Sequence, residues 1–111
     1  MSDILDLSST SVALSGTDVV LFSGDLGNLE GLLFAMKNTG AVNTLGASPV
    51  VSSSPDSSNW TVEDNASIGA LAPAAYGRAK VLNTYGIKYW KLTATCVAGT
   101  TVTWWIQGHK P

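Results

Sequence analysis

The stretch Lys88–Gly108, KYWKLTATCVAGTTVTWWIQG, decides how the rest of the chain is read. Trp90, Leu92, Ala94 and Cys96 alternate with Tyr89, Lys91, Thr93 and Thr95. A period of two places the first set on one face of a β-strand and the second on the other. Val97–Thr100 then reads as a short turn, and Thr101–Gln107, rich in β-branched and aromatic residues, as a return strand. On that strand Val102, Trp104 and Ile106 form the apolar face, opposite Thr101, Thr103, Trp105 and Gln107. The pattern predicts a closing hairpin with Trp104 inside and Trp105 outside, beside Tyr89 on the paired strand.

Upstream, the same reasoning yields short strands separated by turn residues. Leu32–Lys37 is confined to strand length by Gly31 and by Asn38-Thr39-Gly40, with Leu32, Phe34 and Met36 facing inward. Thr10–Leu14 and Asp18–Phe22 are strands, and Ser23–Gly31, with three glycines, is a loop. Val42–Ala47 carries a weaker strand. Val50–Ser54 and Asn59–Val62 flank Pro55–Ser58, a hairpin turn whose Pro presets φ and whose Asp and Ser bond to the backbone. Trp60 packs there as the chain re-enters the sheet. Residues 66–75 are a Gly/Ala/Pro crossover. Tyr76–Leu82 is a strand with Ala79 and Val81 inward and Arg78 and Lys80 outward.

No apolar stripe of helical period is long enough for a core helix. Strands every eight to twelve residues describe an all-β, single-domain antiparallel β-sandwich, jelly-roll or immunoglobulin-like. Residues 1–11 read as a flexible arm or edge strand, 12–108 as the sandwich and 109–111 as a tail. With 111 residues, one such domain accounts for the chain.

Composition bounds the chemistry. Charged residues make up 13 % and the net charge is −2, against about 25 % charged residues in an average domain. This balance argues against nucleic acid, which needs a basic footprint, and against an anionic membrane surface. It also suits a surface partly covered by neighbouring subunits. The one histidine, His109, sits by the C-terminus and cannot complete a nucleophile–base pair there. One His and one Cys do not make a zinc site. Cys96 falls on an apolar face and reads as a buried, unreactive thiol. Asp25 with Glu30, or Glu63 with Asp64, offers oxygen ligands for calcium, but neither fits an EF-hand loop, and turn capping is the plainer role. No catalytic residue, cofactor or metal site is expected. The first ten residues lack a basic start and an apolar run, so the expectation is a chain made in a host cytoplasm without an export signal.

Several pieces in sequence order carry a resemblance: an apolar strand ending in Lys37-Asn38-Thr39-Gly40, the hairpin SSPDSSNWT ending near Trp60, the Gly/Ala/Pro crossover, and Tyr89-Trp90-Lys91-Leu92. The hairpin and later aromatic strand are similar to those of discoidin-like jelly rolls, except that Ser57 and Ser58 stand where those hairpins carry glycine. Over Leu32–Gly108 the layout resembles small β-sandwich accessory proteins in virions of tailed bacteriophages, of the head-decoration and head-fibre type. The resemblance implies a non-enzymatic homotrimer in the virion that binds the capsid or another virion protein.

Four tryptophans are many for this length. An outward tryptophan is a frequent interface anchor and equally a sugar-stacking surface. Trp105, Tyr89 and Trp60 are therefore the candidate contact residues. The first reading is a virion structural protein, with residues 1–11 adding a strand to a partner's sheet edge. The second is a carbohydrate-binding β-sandwich that uses the same aromatics on a glycan.

Overall fold

The apolar strand read at Leu32–Lys37 lies at the middle of the fold. In the computed structural model, which describes residues 4–109 (and the side chains of all of these except 4 and 64–66), it is β3, Gly31–Asn38. Leu32, Phe34 and Met36 are buried on its inner side. Six further strands accompany it: β1 Ile4–Ser8, β2 Val12–Asp25, β4 Val50–Ser54, β5 Thr61–Ser67, β6 Tyr76–Val81 and β7 Tyr89–His109. All pairings are antiparallel, and no helix occurs among the described residues. The all-β sandwich expected from the alternation is the architecture found.

Its construction differs from the expectation in one central respect. Tyr89–His109 is not a hairpin but one strand of 21 residues, and Val97–Thr100 lies within it rather than in a turn. The two halves of β7 pair with different neighbours instead of with each other. Residues 89–93 pair with β4 on one edge, while 102–109 pair with β3 on that same edge. The opposite edge is taken by β2 and then β1, from Asp25↔Tyr89 to Ile4↔His109. The sheet order is β5-β4-β7-β3-β6, with β1 and β2 along the other side of β7.

Bending β7 and its partner β2 turns this one sheet into two facing layers. The bend has local causes. The β2–β7 register shifts between Leu14 and Gly16 and again between Gly16 and Val19, and β-bulges of this kind kink a strand. Gly16 has φ 134° and Gly99 φ 92°, values that glycine adopts readily and L side chains do not. Asp18, at φ 51°, is held by a hydrogen bond from its N–H to Thr95 Oγ1 at 2.9 Å. The first layer is β5-β4-β7-β2 and the second β6-β3-β7-β1. Phe34 of the second layer meets Trp90 of the first with ring centroids 6.0 Å apart, and Phe22 meets Trp104 at 5.7 Å. Two-residue alternation survives the missing turn, because Trp90, Leu92, Ala94, Cys96, Val102 and Ile106 are all buried on the inner side.

A buried amide ties the loops to this frame. Asn38 is 0 % exposed, at the end of β3. Its Nδ2 donates to the carbonyls of Asn43 (2.8 Å) and Leu71 (3.1 Å). Its Oδ1 accepts from the Gly40 N–H (3.1 Å) and the Thr100 hydroxyl (2.7 Å). Its backbone N–H and carbonyl pair with Ala75 and Ala74. Every polar group of Asn38 is thus satisfied, and one side chain ties two loops to β7 at the bend. The weak strand expected at Val42–Ala47 is one of these loops: Leu45 is buried, and the Leu45 and Gly46 N–H groups donate to Leu71 and Thr95. It remains a loop because its polar backbone is satisfied by these scattered partners rather than by a neighbouring strand.

At the start of the chain, Ile4–Ser8 takes the edge-strand form of the two expected for residues 1–11, whereas the other end differs from the tail expected there. Ile4–Ser8 lies along residues 105–109 of its own β7, so this segment is already paired within the chain rather than held out for a partner. Residues 1–3 of the expected arm fall outside the described residues. His109, read as part of a tail, is the last residue of β7, and its carbonyl accepts from the Glu30 N–H at 3.0 Å.

Candidate functional site

The inner faces of both layers are filled by core side chains, so any contact chemistry lies on their outer faces. On the layer β6-β3-β7-β1, the register writes out the surface row by row. Arg78, Ala35, Trp105 and Ser8 form one row across four strands. Lys80, Leu33, Gln107 and Asp6 form the next. On the other side run Tyr76, Lys37 and Thr103. Trp105 is half-buried, and Tyr76, 54 % exposed, meets it edge-on with centroids 5.9 Å apart and planes at 61°. Ala35, which pairs with Trp105 of β7, is 2 % exposed. An edge-to-face pair of this geometry is favourable beyond the area it buries.

Charge is unevenly placed. Lys37, Arg78 and Lys80, half of the chain's six cationic side chains, are all exposed on this face. Among the described residues, the one acid in its rows is Asp6, which accepts a hydrogen bond from Gln107 Nε2 at 3.3 Å. Beside the Lys80–Gln107 row, the face sinks into a groove of about 640 Å³ lined by Leu33, Lys80, Leu82, Gln107 and His109, with Asp6 at its rim. The rows of this face are thus basic and aromatic, with Glu63 lining a cleft beside Arg78 and Lys80 at the β6 edge and Glu30 held against His109.

The opposite layer, β5-β4-β7-β2, has a different outer face. Tyr89, Lys91, Thr93 and Thr95 project there from β7. Lys91 Nζ sits 4.2 Å from the centroid of the Trp60 ring, a cation–π contact that occupies one face of the indole. Trp60 and Tyr89 therefore belong to one face and Trp105 to the other. The expected neighbourhood of Trp105 and Tyr89 does not form, because they stand at opposite ends of a single bent strand. Tyr76 is the aromatic partner that sequence reasoning missed. Its signal was present: it is in phase with Arg78 and Lys80, which alternate with the buried Ala79 and Val81.

The acids do structural work. Asp56 organises the β4–β5 loop: its carboxylate accepts from the Asn59 N–H (2.8 Å), the Ser58 N–H (2.9 Å), Asn59 Nδ2 (2.6 Å) and Ser54 Oγ (3.0 Å). These donors, the Asn59 backbone foremost, hold its pKa well below the usual carboxylate range. Asp25 caps the Gly27 N–H at 2.7 Å, and Glu30 pairs with His109 at 3.2 Å. Asp25 and Glu30 are thus each engaged in a local contact, and the Asp64 side chain lies outside those described. No group of three metal-ligating side chains occurs among the described residues. Cys96 is buried, with its thiol directed at the Thr44 carbonyl 3.6 Å away.

No protein-family model matches the chain, and no curated protein does. Solved structures do share its fold. The chain is similar to the SPBc2 prophage-derived protein YomS, with a TM-score of 0.60 at 10 % identity over 97 % of this chain and 95 % of that one. It is also similar to a chain of infectious bursal disease virus, Gx strain (TM-score 0.54, 11 % identity, 98 % of this chain and 32 % of that). The K3 cleaved adhesin domain of Lys-gingipain from Porphyromonas gingivalis w83 is a third (TM-score 0.54, 14 % identity, 91 % and 73 %). At such identities the likeness establishes the fold and nothing finer.

Proposed function

We propose that this chain is a non-enzymatic structural protein of a bacteriophage virion, a decoration or fibre protein that assembles as a homotrimer and binds the capsid or another surface component. The observation that carries the reading is the arrangement of contact side chains: aromatics stand on two opposed outer faces of a sandwich in which Asp56 caps a loop, Glu30 contacts His109 and the Cys96 thiol lies in the core. A protein attached to a particle has one face on the particle and one turned away. Trp105, Tyr89 and Trp60 are the contact residues of this reading, with Tyr89 and Trp60 on one face and Trp105 on the other. The fold likeness to a prophage protein and to a viral chain supports the reading without naming a partner.

Two measurements test it. Sedimentation equilibrium should return three times the chain mass, and a strictly monomeric species at high concentration counts against the assembly. Antibodies to the chain should label gradient-purified particles from cells that carry its gene. Finding the protein solely in the soluble fraction would remove the virion role.

A further inference from the structure

We propose that the outer face of β6, β3 and β7, from Tyr76 and Trp105 to the groove beside Lys80 and Gln107, binds a chain of anionic sugars. Three observations converge on this. The exposed Tyr76 ring, braced edge-on by Trp105, offers an apolar surface to the C–H face of a pyranose. Arg78 shares the Trp105 row, and Lys37 and Lys80 occupy the rows on either side. A guanidinium fork next to an aromatic ring suits a sugar carboxylate or phosphate, which it can hold by two parallel hydrogen bonds. Gln107 and Thr103, in line along β7, supply neutral partners for hydroxyls.

Size decides between a glycan and a protein as the occupant. Three strands at about 4.8 Å and three rows two residues apart frame a patch of roughly 10 by 14 Å. A stable protein interface needs about 800 Å² per partner, several times that frame. The adjoining groove of about 640 Å³ falls instead in the range of small-ligand sites, ~300–1,000 Å³, and continues the path of a linear chain past Lys80. Asp6 at the rim accepts from Gln107 Nε2 and keeps its negative charge, so on these rows three cations, Lys37, Arg78 and Lys80, stand against one acid among the described residues.

Calorimetric titration with tetragalacturonate, a glycerol-phosphate oligomer and maltotetraose tests the proposal on the whole chain. Binding of either anionic probe, with maltotetraose at least about tenfold weaker, is the expected result, and which anion binds identifies carboxylate or phosphate as the group read. Tyr76→Ala and Arg78→Ala should each weaken the anionic probe by roughly tenfold or more, whereas Lys91→Ala, on the opposite face, should leave it unchanged. Circular dichroism of each variant verifies folding. The proposal is overturned if no anionic probe binds, if maltotetraose binds as well, if Lys91→Ala costs as much as Arg78→Ala, or if polyglutamate competes fully. The inference rests on the geometry of this face alone, so its failure leaves the virion reading standing, and sugar binding by a free monomer would separate the two in the other direction.

Discussion

Asn38 shows how much of this fold depends on one buried amide. Four side-chain hydrogen bonds tie it to the Asn43 and Leu71 carbonyls, the Gly40 N–H and the Thr100 hydroxyl. Replacing it by leucine keeps the branched shape without the polar atoms and leaves the buried Leu71 carbonyl and three part-buried partners short of a bond, at about 1–3 kcal/mol for each group that water cannot reach. Asn38→Leu should therefore lower stability by roughly 3–5 kcal/mol, read from the midpoint of urea unfolding. A loss under about 1 kcal/mol would mean that the loops hold without it. Asp56 gives a prediction of opposite character, because it is exposed. Its folded pKa is depressed, so its contribution is complete above the unfolded value of about 3.9 and disappears as pH falls through the folded one. Asp56→Ala should melt below the wild type at neutral pH, with the gap closing as pH is lowered beneath about 3.9. A gap independent of pH would assign Asp56 a steric role only. Asx-type capping at Pro55–Ser58 was legible in the sequence. The Asn38 network was not, since Asn38-Thr39-Gly40 reads as an ordinary turn, and its partners lie at residues 43, 71 and 100.

At the scale of elements, alternation identified which side chains are buried, and turn chemistry misplaced a chain reversal. Trp90, Leu92, Ala94 and Cys96 are inside as their spacing requires. Ala98-Gly99 carries the same local signal whether the chain reverses or merely bends, because both use a glycine at positive φ. What separates the outcomes is the presence of β3 and β4 along the same edge of β7, a non-local fact. The misreading propagated to the site: with a hairpin, Tyr89 and Trp105 would be neighbours, and with a bend they face opposite ways. The bend itself can be tested. Gly99 sits at φ 92°, where a Cβ would meet only Ser15 Oγ at an ordinary 3.9 Å but the backbone disfavours any L side chain. Gly99→Ala should cost about 1–2 kcal/mol through backbone strain alone, in thermal or urea unfolding. Gly27 and Gly69, also at positive φ and open to solvent, give controls of the same kind outside the bend. A larger loss at Gly99 than at either control would locate the added cost in the coupling of the two layers.

For the molecule as a whole, the informative feature is that its two ends close it. β1 pairs with residues 105–109 of β7, about a hundred positions away, and carries Leu5 and Leu7 onto the core. Antiparallel sandwiches must blunt their edges to stay apart, and here the β7 edge is covered by β1 itself rather than by a charge or a proline. Removing residues 1–8 should do two things together. It uncovers two half-buried leucines and the hydrogen-bonding edge of residues 105–109, a loss of about 2–3 kcal/mol on apolar area alone, or roughly 10–15 °C in Tm for a domain of this size. It also leaves an open strand slot flanked by Trp105 and Gly108, ready to take another strand by addition. A synthetic peptide of residues 1–10 supplied in trans should bind the truncated chain and recover most of the lost Tm, and the same peptide with Leu5 and Leu7 replaced by Asp should not. Without peptide, the truncated chain should associate with itself as its concentration rises, since the donor strand and the vacant edge no longer belong to one molecule. A truncated chain that melts like the full one and stays monomeric would show that β1 contributes little to closure, and that β2 and β3 alone hold β7 in place.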